Sequence, residues 1–245
     1  MKQTIFTIKE NKALTSSVYK MLLVGDTSDI TNCGQFVNIQ IDGLFLRRPI
    51  SVCDCEGDTL TLIYKVVGKG TEQMKDMKLG DKLDILTGLG NGYDTSPSGD
   101  TPLLLGGGVG VPPLYMLCKK LIAEGKKPSV ILGFNTKEEV FCKDEFEKLG
   151  VKVTVTTVDG SEGIKGFVTD AMKNEDYSYF YTCGPEPMLK AIYKASSTEG
   201  QFSFEERMGC GFGACMGCSC KTITGYKRIC KEGPVMKKEE ILWQA

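Results

Sequence analysis

Histidine is absent from this 245-residue chain, and tryptophan occurs only once. The first absence removes the commonest general base near neutral pH and every mixed cysteine–histidine metal site. Imported cofactors must therefore do most of whatever chemistry the chain supports. Charge of one sign is also scarce: 30 basic residues stand against 31 acidic ones, for a net charge of −1. No basic stripe offers itself to nucleic acid. Long apolar runs are missing too. Thr101 to Cys118 carries no charge, but Pro102, Pro112, Pro113 and the glycines at 106, 107, 108 and 110 break it. That composition suits a ligand loop better than a membrane-spanning helix. Near the N-terminus, Lys2, Lys9 and Lys12 lack an intervening apolar stretch and a small-residue cleavage site. A cytoplasmic location without membrane attachment is the expectation.

What is present is ordinary globular material, 41% hydrophobic and 25% charged, with no internal repeat and no low-complexity segment. The length implies more than one domain. Through residue 96 the apolar residues come in short runs, Ile5–Ile8, Tyr19–Val24, Phe36–Ile41 and Leu60–Val67, separated by Gly, Asp and Asn turns. This rhythm reads as a small antiparallel β-barrel with one short helix over Thr71–Met77. Over 97–200 the rhythm changes to an α/β alternation. Strands are expected at Leu103–Leu105, Val130–Phe134, Val151–Val158 and Tyr179–Thr182. Helices are expected at Pro112–Glu124, Glu138–Leu149, Phe167–Lys173 and Pro187–Ala195. Such alternation implies a Rossmann-like parallel sheet with helices on both faces. Residues 201–245 fit neither pattern and read as a small third unit.

The eleven cysteines divide unevenly. Cys33, Cys53, Cys55, Cys118, Cys142 and Cys183 are scattered, whereas Cys210, Cys215, Cys218, Cys220 and Cys230 crowd together. Cys210, Cys215 and Cys218 stand in C-x4-C-x2-C order with Cys230 following, the plant-type ferredoxin spacing for a 2Fe-2S cluster. Gly209, Gly211, Gly213 and Gly217 interleave these ligands and let backbone amides approach the sulfurs. A structural zinc site with four cysteines is the alternative, although C-x4-C with dense glycine is unlike the usual paired knuckles. Moving the third ligand from Cys218 to Cys220 breaks the ferredoxin spacing, so Cys220 reads as a bystander.

Four further motifs point to nucleotides. LLLGGGVGVPPL, Leu103 to Leu114, is a strand, a glycine loop and a helix start, which aims free amides at a diphosphate. A tight strand-to-helix turn is the plain reading of the same residues. TCGPEPML, Thr182 to Leu189, sets Cys183 and Gly184 at the carboxyl end of another expected strand, where open parallel sheets bind ligands. RRPIS, Arg47 to Ser51, offers guanidinium groups suited to phosphate, though a surface arginine pair is the plain alternative. Gly70 and Thr71 open the short helix, where a phosphate or an ordinary N-cap fits equally well.

Taken in order, RRPIS, GKGT, GGGVGVPPL and CGPEPM resemble the ferredoxin-reductase superfamily, an FAD-binding barrel followed by a nicotinamide-binding domain. With EERMGCGFGACMGCSCKTITGYKRICKEGPV, Glu205 to Val235, the whole chain resembles the electron-transfer subunits of dihydroorotate dehydrogenase B. The resemblance implies that Arg48, Pro49, Ile50 and Ser51 bind FAD, Arg48 on the phosphates and Ser51 near the ring. Ile63, Tyr64 and Lys65 would line the same cofactor, and Gly70 with Thr71 would hold its diphosphate. Gly107, Gly108, Gly110, Cys183, Gly184 and Pro185 would form the nicotinamide side. No catalytic side chain is implied in this chain.

The resemblance also implies an FMN-carrying catalytic partner that interconverts dihydroorotate and orotate in pyrimidine synthesis, two subunits of each kind to a complex. Two departures stand out: Lys65 where arginine is as often expected, and TGLGNGY, Thr87 to Tyr93, with glycine where proline is usual. NADH is expected rather than NADPH, because Asn135, Thr136, Lys137 and Glu138 include no arginine for a 2′-phosphate. Two other readings compete. One is a sibling reductase subunit serving a hydrogenase, transhydrogenase or oxygenase; the other is a colourless zinc-binding interaction module.

Overall fold

The computed structural model describes residues 1–243. Its first part is a closed antiparallel barrel of six strands: β1 (Lys2–Ala13), β2 (Val18–Val24), β3 (Phe36–Ile39), β4 (Arg48–Glu56), β5 (Thr59–Lys65) and β6 (Lys82–Leu89). They close in the order β1-β2-β5-β4-β3-β6. Alternate residues such as Phe6, Ile8, Met21, Leu23, Val37, Ile39, Leu60 and Leu62 fill its interior, as the two-residue period of a strand requires. Helix α1 (Lys69–Asp76) lies between β5 and β6, starting two residues before the expected Thr71 because Gly68 in extended conformation serves as its N-cap.

The second part is a seven-stranded sheet built from β7 (Leu103–Gly107), β8 (Ser129–Phe134), β9 (Lys152–Thr157), β10 (Ile164–Lys165), β11 (Phe180–Cys183), β12 (Gly200–Ser203) and β15 (Val235–Lys237). Its order is β10-β9-β8-β7-β11-β12-β15, parallel throughout except for β15. The order reverses beside β7, so the loops after β7 and β11 open side by side at the carboxyl edge, the usual ligand crevice of such sheets. Helices α2 (Pro113–Ala123), α3 (Lys143–Lys148), α4 (Val168–Met172) and α5 (Glu186–Ala195) connect the strands.

Two expectations need correction. The single helix expected over Glu138–Leu149 is a 3-10 turn at Lys137–Glu139 followed by α3, with Cys142 at φ 63° between them. The break lets Phe141 turn inward, where its ring lies 5.3 Å from Phe134 edge to face. The tail from Gln201 is not outside the α/β pattern: β12 pairs in parallel with β11, and β15 returns antiparallel to β12. Only the hairpin of β13 (Ser219–Thr222) and β14 (Gly225–Arg228), with the cysteine loop before it, stands apart from the sheet. Among the described residues no helix is long and apolar enough to cross a membrane.

Candidate functional site

A cavity of about 690 Å³ opens between the barrel and the carboxyl edge of the sheet. From the barrel it is lined by Pro49, Ile50 and Ser51 on β4 and by Ile63, Tyr64 and Lys65 on β5. From the sheet come Gly107, Gly108 and Gly110 at the end of β7 and in the turn after it, and Cys183, Gly184 and Pro185 at the end of β11 and beyond it. Twelve of the fifteen nucleotide-binding positions expected from the sequence therefore share one space. The two sheet loops are locked together, since a Cβ at Gly110 would lie 2.2 Å from the Cys183 carbonyl oxygen. No other residue allows that approach, and it brings the amides of both loops to one spot.

The other three positions, Arg48, Gly70 and Thr71, are not among the lining residues. Arg48 and Gly70 nevertheless meet: a Cβ at Gly70 would lie 2.2 Å from Arg48 Nε. The first turn of α1 leaves amides without intrahelical partners beside that guanidinium. The Thr71 hydroxyl is already used, accepting from the Val67 and Gly68 N–H groups at 2.9 and 3.2 Å and donating to the Gly68 carbonyl at 3.0 Å. It braces the loop that presents the helix end. The neighbouring Arg47 does something different, pairing with Asp84 at 2.9 Å and donating to the Asn38 carbonyl at 3.3 Å. One arginine of the motif is structural, and the other faces the helix terminus.

Some lining residues carry no motif signal, among them Phe36 on β3, Ser203 on β12 and Glu139 beyond β8; Asn135, expected near the nucleotide, borders the cavity beside Glu139. Glu139 accepts from both the backbone N–H and the side-chain amide of Asn135, at 3.2 and 2.8 Å. Burial pushes the Cys183 thiol up to about 12 while the Ser203 hydroxyl pulls the other way, so Cys183 is a neutral thiol in this pocket. The Thr87–Tyr93 loop has a clear role in docking the C-terminal segment. The Asn91 amide donates to the carbonyls of Glu232 and Val235, each at 2.9 Å, and its oxygen accepts from Val235 N–H at 3.2 Å.

The cysteine loop packs against the same barrel. Cys218 and Cys230 are each 2% exposed, in an apolar cluster with Phe36, Leu89, Ile229 and Met236. Cys215 is exposed at the outer end and Cys210 half-buried. The thiols meet in twos. Burial pushes the Cys210 thiol up, but amides of Cys215, Phe212 and Ala214 with the Cys215 side chain outweigh it and bring it down to about 6. Burial and the neighbouring Cys218 raise Cys230 to about 12. Backbone N–H groups of Ala214 and Cys215 point at Cys210 Sγ at 3.2 and 3.4 Å, and that of Cys230 at Cys218 Sγ at 3.5 Å. Arg228 braces the loop by donating to the Gly213 carbonyl at 2.7 Å. Among the described residues no three His, Cys, Asp or Glu side chains converge as a set for one metal ion. Cys220 flanks the group as a partly buried neighbour on β13.

Residues 205–242 match the model of the iron-sulfur cluster binding domain of dihydroorotate dehydrogenase B, and residues 104–194 match the oxidoreductase NAD-binding domain. The electron transfer subunit of dihydroorotate dehydrogenase B (NAD(+)) from Fusobacterium nucleatum is 45% identical over 251 residues, covering 96% of each chain. The chain belongs to this family of electron-transfer subunits. Its counterpart in a Geobacillus strain is 42% identical, with 99% of each chain covered. Among solved structures, a chain of NADH-dependent reduced ferredoxin-NADP oxidoreductase superposes with a TM-score of 0.88 at 29% identity, over 97% of this chain and 90% of that one. The ferredoxin NADP+ reductase of Neisseria gonorrhoeae, at 19% identity and a TM-score of 0.70 over 80% of this chain and 90% of its own, shares the fold. As an electron-transfer subunit of an NAD-dependent dehydrogenase, the chain is part of an oxidoreductase.

Proposed function

We propose that this electron-transfer subunit binds FAD between barrel and sheet, holds a 2Fe-2S cluster on Cys210, Cys215, Cys218 and Cys230, and passes electrons between NADH and a separate catalytic subunit. The observation that carries the reading is the shared cavity. Two glycine loops and the Pro49–Ser51 stretch of β4 open into one space, and Phe36 at its border also packs against Cys218 and Cys230. The donor chemistry fits the groups. Arg48 and the free amides of α1 offer charge-assisted and backbone donors to a diphosphate. Pro49, Ile50, Ile63 and Tyr64 offer an apolar wall to a flavin ring, with Ser51 and Lys65 as polar contacts. Thiols that meet in twos suit a di-iron unit, where each iron takes two cysteines from the protein.

The cofactors, when bound, supply the exchange between hydride transfer and single-electron transfer. This chain's residues bind, orient and shield them. Gly107, Gly108 and Gly110 with Cys183, Gly184 and Pro185 would seat the nicotinamide nucleotide, and the neutral Cys183 thiol puts no charge beside it. The Asn135–Glu139 pair sets a carboxylate at the cavity border, which favours NADH. On this reading residues 1–96 form the FAD unit, 97–203 with the returning strand β15 the nucleotide unit, and the segment between Ser203 and Val235 the cluster unit inserted into it. The partner would carry FMN and convert dihydroorotate and orotate in pyrimidine synthesis, in a cytoplasmic complex of two subunits of each kind. Absorption spectroscopy with iron, sulfide, zinc and flavin analysis tests the cofactors. Copurification with an orotate-reducing FMN protein, with the complex mass measured by light scattering, tests the partner. Colourless protein containing zinc would overturn the reading.

A further inference from the structure

Asn38 lies in the middle of β3, in the run Phe36-Val37-Asn38-Ile39, and all four residues are buried. Strand alternation sends Val37 and Ile39 into the barrel and turns Phe36 and Asn38 outward. That outward face meets the cysteine segment. Phe36 packs in the cluster containing Cys218 and Cys230, and the Asn38 amide donates to the carbonyl of Cys210 at 3.1 Å. The same two residues pair across the ladder with Ser51 and Pro49 of the flavin motif.

The contact is built for this asparagine. Gly211, at φ 80°, follows the accepting carbonyl, and a Cβ there would lie 2.4 Å from Asn38 Nδ2. The Arg47 guanidinium holds the Asn38 backbone carbonyl from the other side. Asn38 Oδ1 is buried without a hydrogen-bond partner, an arrangement that costs stability. Turning the amide over would set its oxygen against the Cys210 carbonyl, so the Nδ2 contact fixes its orientation. A hydrocarbon side chain of the same size would avoid the orphaned oxygen but would leave the Cys210 carbonyl without the Asn38 donor.

We propose that Asn38 is a positioning residue for electron transfer: it holds the Cys210 end of the cluster loop against the barrel and so sets the separation of flavin and cluster. This rests on the assignment of FAD and the four cysteine ligands above. Electron tunnelling falls steeply with distance, so a loop free to lift from β3 slows the step in which one electron leaves reduced flavin for the oxidised cluster. Reduction of flavin by NADH occurs within the cavity, of which Asn38 is not a lining residue, and is unaffected.

The test compares wild type, Asn38→Leu and Asn38→Asp as cofactor-loaded chains isolated with the partner. Stopped-flow mixing with NADH follows the flavin and cluster absorption bands separately. Hydrogen exchange over residues 209–217 reports loop docking independently of turnover. In both variants flavin bleaching should keep its wild-type rate, cluster reduction should slow by up to about tenfold, the most that losing one hydrogen bond's worth of docking free energy takes from the docked population, and exchange in the loop should rise. Selective loss of iron and sulfide with FAD retained would also support the role. Cluster reduction at the wild-type rate with unchanged exchange would overturn it, as would loss of FAD and cluster together, which marks a general core residue. Wild-type protein without iron would instead refute the ligand assignment, a result visible before any variant is made.

Discussion

Arg48 lies directly over Gly70, so close that a methyl group at position 70 would sit 2.2 Å from the guanidinium Nε. The barrel strand and the helix start thereby place a fixed cation beside free backbone amides, a combination suited to a diphosphate.

Gly70→Ala must push that guanidinium aside. FAD retention is expected to weaken about tenfold or more, because hydrogen bonds to charged groups contribute about 1.5–3 kcal/mol and about 1.4 kcal/mol is a factor of ten. Release of fluorescent FAD on dilution measures the change. Unaltered retention would remove Arg48 from the diphosphate.

Cys215 and Cys220 should behave oppositely. Cys215→Ser is expected to leave NADH oxidation by artificial acceptors largely intact while abolishing transfer to the partner. Cys220→Ser should keep iron, sulfide and both activities. Metal analysis and paired assays decide, and equal loss of both activities in Cys215→Ser would argue against separate flavin and cluster steps.

The carboxylate of Glu139, bound to Asn135 at the cavity border, should repel a 2′-phosphate. Glu139→Gln is expected to narrow the preference for NADH over NADPH by about tenfold, within the roughly 1–3 kcal/mol that single pocket contacts contribute to discrimination. The ratio of kcat/KM for the two nucleotides in flavin reduction reads it out. An unchanged ratio would place nucleotide selection elsewhere.

Lys119 on α2 reaches across to Asp54 at 2.8 Å and to Glu56, both on β4, joining sheet to barrel. Its hydrogen bond holds the Glu56 carboxyl below its ordinary range. Burial lowers the Lys119 pKa, but hydrogen bonds to Asp54 and Glu56 outweigh it and raise it. The carboxylate contribution is present above the unfolded value of Glu56 and fades as pH falls through its lowered folded value. The lysine contribution is present below its unfolded value and is lost as pH rises through its raised folded one. A Lys119→Met, Glu56→Gln double-mutant cycle should therefore give a coupling of at most about 1 kcal/mol near neutral pH, as for solvent-open pairs, that shrinks toward both extremes. A coupling flat across acid pH would contradict the assignment.

Much of this was readable from residues alone. Turn-separated apolar runs such as Tyr19–Val24 mark barrel strands, because each must bury one face and return quickly. The change to strand–glycine–helix order at Leu103 marks the parallel sheet. β6 is not among the apolar runs read from the sequence: Leu83, Ile85, Thr87 and Leu89 alternate with less buried neighbours, but Lys82, Asp84 and Gly88 interrupt the run. Other features depend on contacts distant in sequence. Asn38 and Cys210 are 172 residues apart, and Ser203 gains meaning only because β12 lies beside β11. The helix break at Cys142 follows from the inward demand of Phe141 on Phe134, which no local propensity encodes. Thr71 spends its hydroxyl on the Val67 and Gly68 backbone, a use the residue type alone does not separate from a phosphate contact, because hydroxyls satisfy loop backbone as readily as phosphate.

The return of β15 alongside β12 has a practical consequence for engineering. The cysteine hairpin enters from one strand of the nucleotide sheet and leaves into another, and Asn91 clasps the exit. It is an insertion sewn in at both ends, not a cassette hung on a tail. A chimaera that grafts a foreign redox tip must splice between Ser203 and Val235 and preserve both seams; cutting the chain after residue 200 would strip the sheet of an interior strand.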